Sequence, residues 1–383
     1  MSKGNEYMED IGKYRGCLIG GAVGDALGYP VEFMSVAAIK ERFGVAGITE
    51  YILKDGVAEI SDDTQMTLFT ATGILLGETR GCVRGIMGPP WSYVWLSYKD
   101  WYRTQTEKYP MSGNHFSWLD DIPELFSRRA PGNTCMSVLA SGKEGTVEKP
   151  INDSKGCGGI MRVAPVGLYF GRNNTCNPHM IMEIGAEVAA LTHGHPLGYI
   201  PAAALAYLIS LLVHNDISLE DAVDQMKTSI SCEYGDDVPL FCGYFRNLLD
   251  KACFLAEDLN VSAQDAIREL GEGWVAEEAL AIAIFCSLRY SNDFEKAIIT
   301  AVNHDGDSDS TGAITGNILG AYIGIESIPE RFQRNLELRD IILEIADDLS
   351  NDCPLNSWDM KGTTEEEKRW ENKYWYNNKN YKY

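Results

Sequence analysis

The sequence predicts an all-α fold, organised as a single compact multi-helix domain. Apolar residues recur at helical spacing along most of the 383-residue chain, whereas the alternation typical of strands is short and weak. The composition, with 45% hydrophobic and 23% charged residues, is ordinary for a globular enzyme. There is no internal repeat and no obvious linker. We therefore expect one domain over residues 1–361 and a charged, aromatic tail over 362–383 that either docks or frays.

The predicted helices follow one another with few breaks. Ser61 is a suitable N-cap for the helix after it, and Ser218 with Asp221 resembles a capping box ahead of another. Gly194 and Pro196 are expected to end the helix that starts near residue 180. The short stretch 46–53 could be a loop or a hairpin. The segments with helical periodicity are 13–28, 61–78, 180–196, 200–213, 275–290, 310–324 and 338–350.

The first of these helices and the one at 310–324 carry glycines four residues apart. They are Gly16, Gly20, Gly24 and Gly28 in the first, and Gly312, Gly316, Gly320 and Gly324 in the second. A glycine inside a helix costs about 1 kcal/mol relative to alanine. Because residues four apart share one helix face, the pattern predicts that another backbone approaches each face closely.

Residues 81–135 are less regular and are rich in Gly, Pro, Trp and Tyr. Within this insertion Trp91, Trp95, Tyr98 and Tyr102 recur at helical spacing. Buried aromatic side chains usually pack against a core, so we favour core packing over a surface that stacks on bases.

Charge and composition exclude several classes of partner. The formal net charge of −22 repels phosphate backbones, so we expect no nucleic-acid partner. The first 16 residues lack the apolar core of a signal peptide, and the apolar run at 200–213 is too short to span a bilayer, so we expect no membrane association. Ten cysteines without C-x-x-C spacing indicate reduced thiols in a cytoplasmic protein.

The stretch NHDGDSDSTG at 303–312 concentrates Asp305, Asp307 and Asp309 at alternate positions. It opens like an EF-hand loop, but Ser310 stands where that loop needs glycine and Gly316 where it needs glutamate, so calcium binding of that type is excluded. The simpler alternative is a helix cap, whose carboxylates are stabilised by the positive end of the helix dipole. One aspartate would suffice for that role.

A second acidic start lies at 61–67, SDDTQMT, and taken alone it is also most simply a helix cap. Together, Asp62, Asp63, Asp307 and Asp309 carry four negative charges, which two divalent cations would balance. Oxygen ligands without histidine or cysteine suit Mg²⁺, with Mn²⁺ as the alternative. Zinc is the weaker rival. The imidazoles His193, His195 and His304 suit it, but their H-x-H motif has no third correctly spaced ligand.

Six motifs in order resemble the ADP-ribosylglycohydrolase family, which includes dinitrogenase reductase-activating glycohydrolase and the ADP-ribosylarginine hydrolases. They are GGAVGDALGYPVEF (20–33), SDDTQMT (61–67), SKGCGGIMRVAPVG (154–167), LTHGHP (191–196), GEGWVAEEALAIAI (271–284) and GDSDSTGAITGNILGAYIG (306–324). RRAPGNTC (128–135) resembles bacterial members of the arginine-linked branch, some of which are immunity proteins against ADP-ribosylating toxins.

The resemblance implies a binuclear Mg²⁺ centre in a cleft. The family's metal ligands fall on Ser61, Asp62, Asp63, Asp307, Asp309 and Ser310. Asp305 falls outside this set and either supports it or is merely exposed. Glu32 matches a position given a catalytic or gating role in serine-linked members, so Asp62, Asp63 and Glu32 are the candidates for the catalytic base.

The resemblance also assigns the substrate-binding residues Ser154, Gly156, Cys157, Gly158, Gly159, His193 and Trp274. The glycines let backbone amides approach a pyrophosphate, although a plain glycine turn explains them equally well. Many family members have Asn where this chain has Cys157, which puts one side-chain contact in doubt. His193 is expected near the phosphates. Trp274 is expected either as a wall of the distal ribose or guanidinium subsite or as core.

We therefore expect a Mg²⁺-dependent hydrolase that cleaves the N-glycosidic bond between ADP-ribose C1″ and an arginine of a modified protein. Its expected partner is an ADP-ribosylated protein, and a cognate ADP-ribosyltransferase is a further candidate. The alternatives are an enzyme of the same fold acting on ADP-ribosylserine, a nucleobase adduct or a small ADP-ribosyl metabolite, and a catalytically weak protein that binds ADP-ribose or a toxin. A purely structural helical protein would not need two acidic helix starts.

Overall fold

A computed structural model describes residues 3–172, 177–355 and 364–375. These residues form one compact all-α domain, as predicted, with a single two-stranded hairpin, β1 (Leu53–Lys54) and β2 (Val57–Ala58). The expected boundary at 361/362 lies outside the described residues. The helices are α1 (Lys3–Gly28), α2 (Val36–Phe43), α3 (Asp62–Arg84), α4 (Pro90–Thr106), α5 (Asn133–Ser141), α6 (Ala164–Phe170), α7 (Pro178–Ala190), α8 (Pro196–His214), α9 (Leu219–Tyr234), α10 (Pro239–Glu257), α11 (Ala263–Leu270), α12 (Ala276–Arg289), α13 (Phe294–Val302), α14 (Ser308–Ile323), α15 (Glu330–Gln333), α16 (Arg339–Ser350) and α17 (Glu365–Tyr374).

The cap residues behave largely as their types predict. The Ser61 hydroxyl accepts from the Asp63 amide at the start of α3, and the Ser218 hydroxyl accepts from the Asp221 amide at the start of α9. The prediction for 180–196 was wrong at its end. Helix α7 stops at Ala190, and Pro196 begins α8, because a proline at the first helical position loses no hydrogen bond.

The two glycine-bearing helices, α1 and α14, pack antiparallel with their backbones in contact. A Cβ atom built on Gly20 would lie within 3 Å of the Gly316 carbonyl oxygen, and one built on Gly24 would meet Gly312 in the same way. The predicted close approach of a second backbone is therefore confirmed, and each glycine face is the other's partner. This contact fixes the ends of both helices relative to each other, which matters for the site below.

Residues 81–135 are more regular than expected, because α4 carries the aromatic stripe and packs along α3. Tyr98 is fully buried and shares a 2.6 Å hydrogen bond with the Thr70 hydroxyl. Trp101, which was not among the residues of the predicted stripe, is also buried, and its indole donates to Gln65 Oε1 at 3.1 Å. Core packing of the stripe is confirmed.

Helix α8 runs through the middle of the domain. With 19 residues it is longer than the apolar run at 200–213, and by length and composition it could cross a membrane. However, 94% of its most apolar 18-residue window is buried inside the protein, which identifies it as a core helix.

Helix α17 lies against α3 and α16. Thr364 and Glu367 form a capping box at its start, and the Trp370 indole donates to the Thr79 hydroxyl at 2.8 Å. Lys373 pairs with Asp348 of α16. The described part of the expected tail, 364–375, is therefore docked on the domain.

Candidate metal and substrate site

A cavity of about 420 Å³ lies where the starts of α3 and α14 meet the end of α1. Predicted site residues in its lining are Glu32, Asp62, Asp63, Asp307, Asp309, Ser310, Gly156, Cys157, Gly158, His193 and Trp274. The remaining lining residues are Phe33, Ala130, Pro131, Gly132, Asn133, Thr134, Cys135 and Met161. Ser61, Ser154 and Gly159, also predicted, are not in the lining.

The start of α3 is held by a residue that the sequence reasoning missed. Asp25 of α1 is fully buried, and both its carboxylate oxygens lie 3.0 Å from the Ser61 amide that donates to them. It also accepts from the amide and hydroxyl of Thr64. An aspartate in an otherwise small and apolar helical stretch, GGAVGDALG, was the available signal, because a buried carboxylate needs partners.

The two aspartates of α3 have different environments. Asp62 Oδ2 accepts from the Gly132 amide at 3.1 Å, which ties the 130–134 loop to the cavity. Asp63 Oδ1 is buried and has no hydrogen-bond partner among the described residues. At the helix start both side chains reach the same cavity, which neighbouring mid-helix residues could not do.

The start of α14 presents the second pair of aspartates. Asp307 is the N-cap, and both Asp307 Oδ1 and Asp309 Oδ1 accept from the Ser310 amide, at 3.3 and 3.0 Å. The Ser61 hydroxyl also bonds to the Asp309 side chain, so this contact joins the two acidic starts. Gly28 packs directly on the Ser308 backbone, so the glycine contact of α1 with α14 sets this geometry.

Glu32 completes the acidic cluster. It follows the 3₁₀ turn Tyr29–Val31 at the end of α1. One oxygen each from Glu32, Asp307 and Asp309 lie within 4.8 Å of one another, and all three residues are buried. Glu32 Oε2 has no hydrogen-bond partner among the described residues. The sequence assigned Glu32 to catalysis alone, whereas its position also suits metal ligation.

The cluster perturbs its own ionisation. Burial and then the neighbouring carboxylates, Asp309 first, raise the pKa of Glu32 to about 10. The pKa values of Asp62, Asp63 and Asp307 are likewise raised well above their ordinary range, chiefly by burial. Buried carboxylates that repel one another and leave oxygens unpartnered fit divalent cations, which would replace the missing positive charge. The residues present therefore fit the ions that the family implies.

The glycine loop forms one wall of the cavity. The Cys157 amide donates to the Trp274 carbonyl at 3.1 Å, so this amide is not available to a phosphate. The Cys157 thiol points at Asp307, with Sγ 2.7 Å from Oδ2. Ser154 instead shares a 3.3 Å hydrogen bond with the hydroxyl of Thr134, a residue that does line the cavity.

His193 lies in the loop between α7 and α8 and faces the glycine loop. Burial, with a contribution from Arg162, lowers the pKa of His193 to about 3, so the ring is neutral. Its Nδ1 is 2.8 Å from the Thr192 hydroxyl, which accepts from Arg162 at 2.7 Å. The Thr192 proton is then best donated to Nδ1, which assigns the ring N–H to Nε2, on the side of Gly156 and Gly158.

The other two histidines have structural partners. His195 is the N-cap of α8, and its Nδ1 accepts from the Leu197 amide at 2.9 Å. His304 Nε2 lies 2.8 Å from the Thr311 hydroxyl. Neither residue lines the cavity, so the zinc alternative built on the three histidines has no support. Asp305 is exposed and accepts from the Val36 amide at 2.7 Å.

Two aromatic rings stand at the mouth of the cavity. Phe33 and Trp274 are stacked, with ring centroids 5.6 Å apart and planes inclined by 17°. Phe33 is 77% exposed and Trp274 36% exposed, which is unusual for such large apolar side chains. Trp274 is therefore a cavity wall rather than a core residue.

The chain is similar to several known proteins. A sequence model of the ADP-ribosylglycohydrolase family matches residues 7–358. An uncharacterised protein of Archaeoglobus fulgidus is 30% identical over 343 residues, covering 87% of this chain and 94% of that protein. ADP-ribosylhydrolase ARH3 of Mus musculus is 24% identical over 351 residues, covering 85% and 88%. ADP-ribosyl-[dinitrogen reductase] glycohydrolase of Rhodospirillum rubrum is 25% identical over 331 residues, covering 85% and 90%.

A solved structure illustrates the shared fold. It is described as an ADP-ribosylglycohydrolase-related protein complex, and it aligns with a TM-score of 0.57 and 23% identity over 90% of this chain and 98% of that chain. The chain belongs to the ADP-ribosylglycohydrolase family. This confirms the resemblance seen in the six motifs and supports a glycohydrolase that acts on ADP-ribosylated substrates.

Proposed function

We propose that this protein is a Mg²⁺-dependent hydrolase that removes ADP-ribose from arginine side chains of modified proteins. The bond cleaved is the N-glycosidic bond between C1″ of the distal ribose and the guanidinium. The carrying observation is the group of carboxylate oxygens from Glu32, Asp307 and Asp309, which lie within 4.8 Å of one another inside a buried cavity. Such a group needs either protons or cations to offset its charge.

The proposed ion ligands share oxygen donors and nearness to the two acidic helix starts. They are Ser61, Asp62, Asp63, Asp307, Asp309 and Ser310. Two divalent ions would balance the four aspartates, and an all-oxygen set suits Mg²⁺ or Mn²⁺. When bound, the ions would orient the ribose hydroxyls and stabilise the negative charge that develops on the attacking water.

The chain's own carboxylates would accept the proton from the attacking water and stabilise the charge of the transition state. Water attacking C1″ must lose a proton. Glu32 Oε2 and Asp63 Oδ1 are buried oxygens of the cavity without a hydrogen-bond partner among the described residues, and once bound ions have displaced the carboxyl protons either could accept it. Asp62 is the weaker candidate because its Oδ2 already accepts from Gly132. The acidic wall would also stabilise the positive charge of an oxocarbenium-like transition state.

The diphosphate is proposed to lie along the glycine loop beside His193. A neutral imidazole with its proton on Nε2 can donate a hydrogen bond to a phosphate oxygen without adding charge to the site. Gly156 and Gly158 leave room there, because a Cβ atom on either would lie within 3.4 Å of the His193 ring.

Arginine is the preferred acceptor because of the aromatic pair at the cavity mouth. A planar guanidinium stacks favourably on tryptophan, with Phe33 and Trp274 available as exposed faces. The net charge of −22 also attracts basic acceptor segments. Similarity to ADP-ribosylhydrolase ARH3 makes another linkage, such as ADP-ribosylserine, the second candidate. A binding protein without turnover is the candidate of another class.

The test is release of ADP-ribose from an arginine-ADP-ribosylated protein, with Mg²⁺ and with EDTA. The matched variants are Asp307→Ala and Asp305→Ala, which change neighbouring aspartates inside and outside the cavity. We expect metal-dependent release that Asp307→Ala abolishes and Asp305→Ala preserves. Turnover of serine-linked or small ADP-ribosyl substrates alone would refute the arginine assignment. No turnover of any linkage, with metal still bound, would favour the binding protein.

We further propose a cytoplasmic protein that reverses the action of a cognate ADP-ribosyltransferase, in regulation or in immunity against an ADP-ribosylating toxin. The RRAPGNTC segment at 128–135, whose glycine bonds to Asp62, is the feature that favours this branch. Expression of the chain beside such a toxin should protect the host, and Asp307→Ala should remove the protection.

A further inference from the structure

We propose that Cys157 provides a sulfur ligand to the metal centre, so that the centre binds thiophilic divalent cations more tightly than an all-oxygen site does. The inference concerns the site of the proposed function and rests on it. It adds a donor of a different chemical class to a set that otherwise offers carboxylates and hydroxyls.

The position of the thiol carries the argument. Cys157 Sγ lies 2.7 Å from Oδ2 of Asp307. Metal–oxygen and metal–sulfur bonds of roughly 2.1 and 2.3 Å put two neighbouring ligands of one ion about 3 Å apart. The sulfur and the Asp307 oxygen are therefore close to the separation of two donors on the same cation. Without an ion the thiol donates a hydrogen bond to this oxygen, and its proton occupies the place between the two atoms that a cation would take.

The main chain holds the thiol in this direction. The Cys157 amide donates to the Trp274 carbonyl at 3.1 Å. Its carbonyl accepts from the amides of Ile160 and Met161, at 2.9 and 3.2 Å. With both peptide groups engaged, the side chain enters the cavity from a fixed backbone, which is the preorganisation that a ligand needs.

A second observation independently points to a cation beside the sulfur. Glu32 Oε2 and Asp63 Oδ1 are buried, lie in the same cavity, and have no hydrogen-bond partner among the described residues. Both residues are more than nine-tenths buried. Burying a carboxylate oxygen without a hydrogen-bond partner is unfavourable unless a cation binds it. The sulfur therefore shares the cavity with carboxylates that lack a positive partner.

To bind a cation through sulfur, the thiol must exchange its proton for the metal ion. As the cation arrives, the S–H bond breaks, its electron pair stays on sulfur and becomes the metal–sulfur bond, and the proton leaves to solvent. Thiolate is a soft donor, which favours Co²⁺, Zn²⁺ and Cd²⁺ over Mg²⁺. Cys135 also lines the cavity, but its sulfur lies 3.4 Å from the Arg162 guanidinium, which repels a cation.

The experiment titrates the metal-free full-length protein with Co²⁺ and records the near-ultraviolet sulfur-to-cobalt charge-transfer absorption. Wild type is compared with Cys157→Ser, and Cys82→Ser is the matched control because Cys82 is an exposed cysteine that does not line the cavity. We expect the absorption in wild type and Cys82→Ser and its loss in Cys157→Ser. The Co²⁺ affinity should fall by about tenfold or more in that variant, whereas Mg²⁺ affinity should change little. Cys157→Ala is the second variant if serine disturbs the turn.

The possible failures are distinguishable. An equal absorption in Cys157→Ser, or stabilisation of wild type by Co²⁺ without any such absorption, would overturn the sulfur ligand and leave the oxygen centre intact. If neither Mg²⁺ nor Co²⁺ raises the unfolding temperature of wild type, the metal centre fails, and the proposed function fails with it.

Discussion

Because α1 and α14 pack with their backbones in contact, Gly20→Ala should destabilise the protein, although alanine favours helices. A Cβ atom on Gly20 would lie within 3 Å of the Gly316 carbonyl oxygen and 3.3 Å from Cε2 of Phe294. The oxygen is main-chain, so no flexible side chain can move aside. The two helices would have to separate, and the start of α14, with Asp307, would move with them.

The expected magnitude follows from two opposing terms. Overpacking a well-packed interior costs about 1–3 kcal/mol, and a backbone obstacle belongs at the upper end. Replacing glycine by alanine inside a helix returns about 1 kcal/mol. The net loss should therefore be about 2 kcal/mol in the free energy of unfolding. Gly12 of the same helix is the matched control, because nothing lies within 4 Å of a Cβ atom built on it.

The assay is urea unfolding in EDTA, followed by Mg²⁺ titration of the folded variants. Gly20→Ala should lower the unfolding midpoint and weaken Mg²⁺ binding, whereas Gly12→Ala should raise the midpoint. Equal stability of the two variants would refute the backbone contact as the reason for the glycine pattern. A destabilised Gly20→Ala with unchanged Mg²⁺ affinity would refute the link between this contact and the metal site.

Three further predictions concern the site. In EDTA the free energy of unfolding should fall as pH rises from about 7 to 9. Glu32 keeps its proton in the fold to a pKa of about 10 and loses it at an ordinary pKa in the unfolded chain, whereas His193 is neutral in both states over this range. The slope for Glu32 is at most about 1.4 kcal/mol per pH unit. Asp309→Asn should raise stability in EDTA by about 1 kcal/mol, since burial disfavours the ionised carboxylate and raises the pKa of Asp309, and should abolish the rise in Tm on adding Mg²⁺. Thr192→Val should cost about 1–3 kcal/mol by removing the hydroxyl that Arg162 and His193 share, and should raise KM more than it lowers kcat.

Each of these has its control and its contrary result. For the pH series, saturating Mg²⁺ should remove the fall, because the ions bind the ionised carboxylates; a Tm in EDTA that rises with pH would contradict the proton assignment. Asp305→Asn controls for Asp309→Asn and should change neither quantity, since Asp305 is exposed. A Thr192→Val variant that loses kcat alone would show that His193 takes part in the chemical step and not in phosphate binding.

The sequence by itself determined the features that interactions between nearby residues of the chain can set. Helical periodicity predicted the all-α class, Ser61 and Ser218 were correct caps, and the four-residue glycine spacing in α1 and α14 predicted a backbone contact before either partner was known. These features depend on neighbours within one or two turns. Where a local signal had two uses it failed, as at Pro196, which can end one helix or begin the next.

Only the tertiary structure decided how side chains from distant segments share one cavity. In the structure Glu32 lies with Asp307 and Asp309, and Asp25 accepts a hydrogen bond from the Ser61 amide at the start of α3. The tertiary structure also turned the Cys157 thiol toward Asp307. None of these relations is readable from spacing, because each depends on how closely separate helices pack. In this protein the approach of α1 to α14 is decisive. Asp25 of α1 holds the start of α3 and Gly28 packs on the start of α14, so two acidic helix starts about 240 residues apart in the chain line one cavity.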